Sequence, residues 1–223
     1  MTKVSAIVSA YFAEEFIDCR LQNLLAQNPQ PEIIVIAKSG SVEARSAREH
    51  RVCLVETVDV PTLYDAWNVG IEVATGEYLT NANSDDILYP RALQVMAETL
   101  DERPDIALCY ADSDVVHQYM GDPVNRIVWI QGGVEEIKHA CFIGSMPMWR
   151  KSLHTKYGLF DYEMKSAGDY EFWLRIMLAG EKVLHIPRAL GAYLVREDSI
   201  WHSKPLLSIW EVARARSRYI KEL

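Results

Sequence analysis

Hydrophobic and polar positions fall in blocks along the first half of this chain, and each block predicts one element. Val4-Ser5-Ala6-Ile7-Val8-Ser9-Ala10 is apolar and rich in β-branched residues, and reads as a buried strand. Behind it Phe16, Ile17, Leu21, Leu24 and Leu25 return at three- and four-residue steps, the spacing of one helix face. Pro29 and Pro31 end that helix. Residues 32–37 predict a second buried strand and 51–56 a shorter third. Pro61 opens a helix whose inner face is Leu63, Trp67, Gly70, Ile71 and Ala74, with Gly76 at the C′ position. Residues 77–81 form a fourth strand, Pro90 begins a helix through Leu93, Met96, Ala97 and Leu100, and 106–110 is a fifth strand. Strand and helix in alternation imply an α/β fold, a mostly parallel central sheet with helices on both faces.

The second half reads differently. Residues 113–150 carry short apolar runs and glycines at 132, 133 and 144, with no helix expected before 150–156. A helix over 169–178 turns Phe172, Trp173, Ile176 and Met177 inward, with Gly180 beyond its end. Two strands are expected at 183–186 and 189–195, then a final helix over 205–223 bearing Arg214, Arg216, Arg218 and Lys221. No internal repeat or long linker interrupts the chain. It reads as one domain over 1–223, with a nucleotide-binding first half (1–112) and a second half over 113–223.

Composition narrows the function classes. With 23 Lys and Arg against 31 Asp and Glu, the net charge of −8 favours neither a nucleic-acid backbone nor an anionic membrane as main partner. The basic final helix leaves room for weak membrane-surface contact, a solvated helix face being the plainer account. A homodimer is compatible with the sequence. Cys19, Cys53, Cys109 and Cys141 are scattered, with no C-x-x-C pair, and read as buried free thiols of a cytoplasmic protein. Neither a signal peptide nor an eighteen-residue apolar span is seen.

Three segments carry candidate chemistry. Asn83-Ser84-Asp85-Asp86 follows the fourth strand directly, and in a parallel sheet ligands bind beyond the carboxyl ends of the strands. Two carboxylates there suit a hard cation such as Mn²⁺ or Mg²⁺, completed by substrate phosphates. Taken alone the tetrapeptide is equally a loop and N-cap pair for the next helix. Asp169 opens a helix, where free N–H groups and the macrodipole favour its ionised form; it is a general-base candidate or simply a cap. Glu171 and Arg175, four residues apart, are a structural pair. Tyr64-Asp65-Ala66-Trp67-Asn68-Val69-Gly70-Ile71 interleaves polar residues with a packed helix face.

In order and together these segments resemble the family-2 glycosyltransferases of GT-A fold. The run from Tyr64 through Ala74-Thr75-Gly76-Glu77-Tyr78 to Asn83-Ser84-Asp85-Asp86 is similar to that family's approach to its acidic metal motif. Gly158-Leu159-Phe160-Asp161 followed by Asp169-Tyr170-Glu171-Phe172-Trp173-Leu174-Arg175 resembles its catalytic-base segment, and residues 4–14 its first strand and donor loop. The resemblance implies a metal-dependent, inverting transferase, moving a sugar from a nucleotide-diphosphate donor to a glycan or other hydroxyl acceptor in polysaccharide or glycan biosynthesis. It implies Asp85 as metal ligand, with His202 as a late diphosphate or metal contact, and Asp169 as general base, which makes 113–223 the acceptor-binding and catalytic-base half. Ala10, Tyr11, Glu14, Lys38, Asp65, Asn68, Asn83, Ser84 and Asp86 would line the donor site. One departure stands out. Lys38, in Lys38-Ser39-Gly40-Ser41-Val42-Glu43, occupies a position where the family usually places a base-recognising Asp. It argues against ordinary uridine recognition, and it supports the alternative of a degenerate nucleotide-sugar-binding module without turnover. A pyrophosphorylase would need a glycine-rich loop that Tyr11-Phe12-Ala13-Glu14 lacks, and no G-x-G-x-x-G follows any strand.

Overall fold

The computed structural model describes residues 3–59, 61–196 and 203–220. Its elements are β1 (Val4–Ala10), α1 (Ile17–Leu25), β2 (Glu32–Lys38), α2 (Val42–Glu49), β3 (Cys53–Thr57), α3 (Leu63–Val73), β4 (Tyr78–Asn81), β5 (Ile87–Leu88) and α4 (Ala92–Glu102). The second half adds β6 (Ile106–Val116), β7 (Asn125–Ile127), α5 (Val134–His139), β8 (Met148–Arg150), α6 (Ser152–Tyr157), α7 (Gly168–Leu178), β9 (Lys182–Leu194) and α8 (Pro205–Tyr219). One sheet runs β3-β2-β1-β4-β8-β6-β9-β5, with β7 paired to β6. The pairs β2/β3, β1/β2, β1/β4 and β6/β9 are parallel. β8 is antiparallel to both β4 and β6. The expected mostly parallel sheet is therefore present, and it continues through both halves.

Alternation along the strands sorts the core into two layers. Val4, Ala6, Val8 and Ala10 of β1 face a layer containing Ile17, Leu21 and Leu24 of α1, Ala44 and Ala47 of α2, and Leu93, Met96 and Leu100 of α4. Ile7 points the other way, to Tyr64, Trp67 and Ile71 of α3 and to the aromatic residues of α7. Phe172 and Trp173 are 0% and 2% exposed, as expected for core positions. They join Trp149, His154 and Phe160 in one aromatic cluster, with ring centroids 4.8–5.8 Å apart for Phe160–Phe172, Phe172–Trp173 and Phe160–Trp173. No helix among the described residues is long and apolar enough to cross a membrane.

Several local expectations are corrected. α2 carries no large apolar stripe; its inner face is Glu43, Ala44, Ser46 and Ala47, so hydrophobic periodicity passes over it. What starts it is Ser41, whose hydroxyl accepts the Ala44 N–H at 3.1 Å. β6 runs on from Tyr110 to Val116, because Asp112 and Asp114, beyond the strand expected at 106–110, are buried and paired. Asp112 accepts the Trp129 N–H at 2.9 Å and Asp114 bonds Arg126 Nε at 2.7 Å. The strands expected at 183–186 and 189–195 are one strand, β9, and Pro187 falls at its irregularity, where Ala111 faces Ile186 and Asp112 faces Ala189. α5, of six residues, lies where no helix was expected. Gly76 is not a helix C′ residue. α3 ends at Val73, and Gly76 is needed where the chain crosses β1: a Cβ there would sit 2.6 Å from Ser5 Oγ. Of the cysteines only Cys109 is buried; Cys19, Cys53 and Cys141 are exposed, and all four are free.

Candidate active site

The four parallel strands β3, β2, β1 and β4 end on one edge, and most of the sequence-derived donor residues lie there. Ala10 is the buried last residue of β1, and Lys38 is the exposed last residue of β2, paired with Thr57. Tyr11 extends from β1 toward β3, its hydroxyl 2.8 Å from Thr57 Oγ1. Burial raises the Tyr11 hydroxyl, the bond to Thr57 opposes this, and the nearby Asp65 carboxylate adds to it. The loop carrying Tyr11 is fixed from α2, where buried Glu43 accepts the Ala13 N–H at 2.9 Å. Glu14 in that loop is exposed. Asp65 lies in the first turn of α3, half-buried, its N–H bonded to the capping Thr62 hydroxyl at 3.1 Å. Asn68 is 7% exposed and uses both ends of its amide on Phe160, donating to its carbonyl at 2.9 Å and accepting its N–H at 3.0 Å.

The acidic segment leaves β4 with the Ala82 N–H bonded to the Ile7 carbonyl at 2.8 Å. Asn83 donates to Asp86 Oδ2 at 2.9 Å. Asp86 is 1% exposed; burial pushes its carboxyl well above the usual carboxylate range, the neighbouring Asp85 charge adding to the rise and Arg20 opposing it. Ser84 and Asp85 are half-buried. Asp85 Oδ2 lies 3.4 Å from Arg196 Nη1, whose guanidinium also covers the Phe16 ring at 4.8 Å. Beneath the segment Arg20 is wholly buried, donating to Asn23 Oδ1 at 2.9 Å while its Nε and Nη2 have no partner among the described residues. The pair does not cap the following helix: α4 is preceded by Arg91 in a left-handed conformation (φ 67°) and has no side-chain cap.

Asp169 lies in the first turn of α7, behind an N-cap at Ala167 rather than at the cap itself. Its Oδ1 accepts the Tyr64 hydroxyl at 3.0 Å and the Tyr170 N–H at 2.8 Å. Burial raises its carboxyl above the ordinary range; those two bonds hold it down and the Glu211 charge adds to the rise. A carboxyl held by two donors and made more basic by burial is suited to accepting a proton. Glu171 and Arg175 form the expected pair at 2.8 Å, with Arg175 also donating to the Leu159 carbonyl at 2.9 Å.

A cleft of about 240 Å³ joins the two chemistries: Asn83 lines it from the acidic segment and Asp169 from α7, with Tyr64, Trp67, Asn81, Ser145 and Tyr193 between. A neighbouring hollow of about 350 Å³ shares Asp169, Gly144, Ser145 and Tyr193 and adds Ser113, Ile127 and Trp129. Three polar atoms in these walls, Trp67 Nε1, Asn81 Oδ1 and Trp129 Nε1, are buried without a partner among the described residues. Orphaned groups of this kind are costly and collect where a ligand or water completes them. Gly144 admits Trp129 to the wall, since a Cβ there would lie 2.5 Å from its Nε1. A larger hollow of about 470 Å³ lies at the start of β6, between Arg150, Lys156 and Glu181. Arg150 and Lys156 are already bonded within the protein there, to Ile106 O at 2.9 Å and Glu181 at 2.7 Å, so it offers no comparable chemistry.

Trp129, Ser145 and Tyr193 were not predicted from the sequence. They come from segments that read as loop or plain strand, and only the fold brings them to Asp169. His202 lies outside the described residues. Among the described residues no group of three or more His, Cys, Asp or Glu side chains could by itself hold a metal ion. The oxygen donors of Asp85 and Asp86 suit a hard cation that takes its remaining ligands from a diphosphate and water.

A model of the family described as Glycosyl transferase family 2 matches residues 5–157. EpsJ of Bacillus subtilis, an uncharacterized glycosyltransferase, is 27% identical over 213 residues, covering 87% of this chain and 61% of its own length. The amylovoran biosynthesis glycosyltransferase AmsE of Erwinia amylovora is 23% identical over 219 residues, covering 89% and 80%. Among solved structures, S. aureus TarS 1-349 in complex with UDP-GlcNAc superposes with a TM-score of 0.79 at 20% identity, over 98% of this chain and 66% of that one. The mannosyltransferase PcManGT from Pyrobaculum calidifontis, in complex with GDP-Man and Mn²⁺, gives 0.76 at 16% identity, over 100% and 65%. This chain thus spans under two thirds of the length of EpsJ and about two thirds of both solved chains. These likenesses establish the GT-A fold, and with the family match over most of its length the chain belongs to glycosyl transferase family 2.

Proposed function

We propose that the cleft transfers a sugar, with inversion, from a nucleotide-diphosphate donor to a hydroxyl acceptor in polysaccharide or glycan assembly. The observation that carries this reading is the shared cleft: Asn83, of the acidic segment, and Asp169, 86 positions later in the chain, line the same hollow. Tyr11, Lys38, Asp65, Asn83 and Asp86 form the donor side, and Asp85 is the ligand for Mn²⁺ or Mg²⁺. Bound there, the ion would stabilise the charge that grows on the departing diphosphate. Asp169 takes the acceptor proton as the hydroxyl attacks, Tyr64 keeping its carboxylate oriented. The hollow bearing Trp129, Ile127 and Tyr193 receives the acceptor, its aromatic and apolar wall suiting a sugar ring. The names of the relatives agree with this reading: AmsE is an amylovoran biosynthesis glycosyltransferase, and the superposed structures hold UDP-GlcNAc and GDP-Man. Because those donors differ in base, and Lys38 is a donor of hydrogen bonds only, a base edge that presents acceptors is the better match at β2.

Two variants test the reading. Asp85→Ala is expected to abolish metal-assisted binding of UDP or GDP in calorimetry while leaving the circular dichroism spectrum unchanged; unaltered affinity removes Asp85 from the metal site. Asp169→Asn is expected to keep nucleotide affinity and to cut transfer by about 10²–10⁴-fold. Nucleotide binding by the unmodified protein with no turnover across donors and acceptors would instead establish a binding module.

A further inference from the structure

The segment between Asp161 and α7 contains the turn that presents Asp169, and one buried carboxylate holds it from the far end of the chain. Glu211 of α8 is 1% exposed. Its Oε1 accepts the Lys165 N–H at 2.8 Å, and its Oε2 accepts the N–H groups of Ser166 and Ala167 at 2.8 and 2.9 Å. Ser208, one turn earlier on α8 and equally buried, places its hydroxyl 2.6 Å from that of Ser166. Lys165 and Ser166 are themselves part of the cleft wall, and Ala167 is the N-cap of α7. Three successive N–H groups, the last of them at the N-cap of α7, thus converge on one anion. Nothing in the transfer chemistry requires an acid at this position, and a buried carboxylate is costly unless fully bonded. From this arrangement we propose that Glu211 is a positioning residue for Asp169: it fixes the turn 165–167 and so the place of the base in the cleft.

The inference rests on the transferase reading for its importance, but not for its test. The charged or titratable groups that reach Asp169 are Tyr64 from α3, Cys141 from the segment after α5, and Glu211 from α8. Removing the Glu211 charge moves the Asp169 titration whatever its role, so a carboxylate that merely braced α8 is recognised by the charge-keeping variant Glu211→Asp, which would leave that titration unmoved. In the positioning role, Glu211→Gln removes a like charge and loosens the turn together.

The full chain is labelled for NMR, and amide exchange at 165–167 is read together with the pH titration of the Asp169 carboxyl carbon. In Glu211→Gln, exchange at the three amides is expected to rise by about tenfold to a hundredfold, the effect of losing hydrogen bonds to a charge. The Asp169 midpoint is expected to move to lower pH. Ser208→Ala, which leaves the carboxylate in place, is expected to leave that midpoint where it was. Faster exchange with an unmoved midpoint in Glu211→Asp makes Glu211 a brace and overturns the proposal; unchanged exchange in Glu211→Gln overturns it as well. Should Glu211→Gln not fold, Glu211→Asp draws the charge back by one methylene and must shift both readouts the same way, to a smaller extent. Failure of the transferase reading is seen separately, as the absence of UDP and GDP binding to the unmodified protein in the presence of Mn²⁺.

Discussion

His154 ties the stability of the aromatic cluster beneath α7 to pH. Its Nε2 accepts the Trp149 indole N–H at 2.9 Å, and its Nδ1 lies 3.1 Å from the Gly158 carbonyl, which fixes the neutral tautomer with the proton on Nδ1. The ring stacks on Phe172 with centroids 4.8 Å apart. Burial lowers its pKa from 6.5 to about 4, the Gly158 carbonyl opposing the fall and Arg175 and Lys151 adding to it. The folded value is thus below the unfolded one, so between these two values the unfolded chain binds the extra proton and stability falls as pH falls. At about 1.36 kcal/mol for each unit between the two values, the ceiling is roughly 3 kcal/mol, and about 2 kcal/mol is lost between pH 7 and pH 5. Urea unfolding at those two pH values measures it, with His154→Phe as the reference. The variant is less stable at both, because Trp149 Nε1 loses its acceptor. Its loss on acidification is expected to be smaller than that of the unmodified protein by about 2 kcal/mol. Equal losses would show that His154 is protonated as readily in the fold as outside it, and would refute the argument.

Two further substitutions test the site and its frame. Tyr64→Phe removes a hydroxyl that favours the ionised Asp169, so the acidic limb of the pH–rate profile for nucleotide release is expected to move to higher pH; movement downward, or none, would separate Tyr64 from the base. Asn68→Ala leaves the Phe160 N–H and carbonyl unpaired in the core and is expected to cost roughly 2–4 kcal/mol in urea unfolding, a loss below about 0.5 kcal/mol arguing for a solvent-bonded loop instead.

What was legible in the sequence followed from periodicity. β1, β2, β4, α1, α3 and α7 announce themselves because each presents large apolar residues at a regular step to one of the two core layers. α2 does not, since alanine and serine make its inner face, and β6 hides its second half behind acids that the fold then pairs. In the candidate site, the acidic segment and Asp169 stood out as carboxylates at element boundaries. Asn81, Trp129, Tyr193 and Glu211 did not, because their importance lies in what they face across the chain. Glu211 sits in a segment that reads as a solvated basic helix, and nothing in its local spacing foretells three amides from residues 165–167.

The shortest interior strand has the widest mechanical consequence. β8 has three residues, yet it is laddered to β4 through Thr80↔Met148 and Leu79↔Trp149 and to β6 through Cys109↔Met148 and Leu108↔Trp149. The two halves of the molecule are therefore stitched along a seam with no linker to flex, and Trp149, 1% exposed, rivets that seam into the aromatic cluster. A cleft framed this way cannot gape by swinging one half from the other without tearing sheet hydrogen bonds.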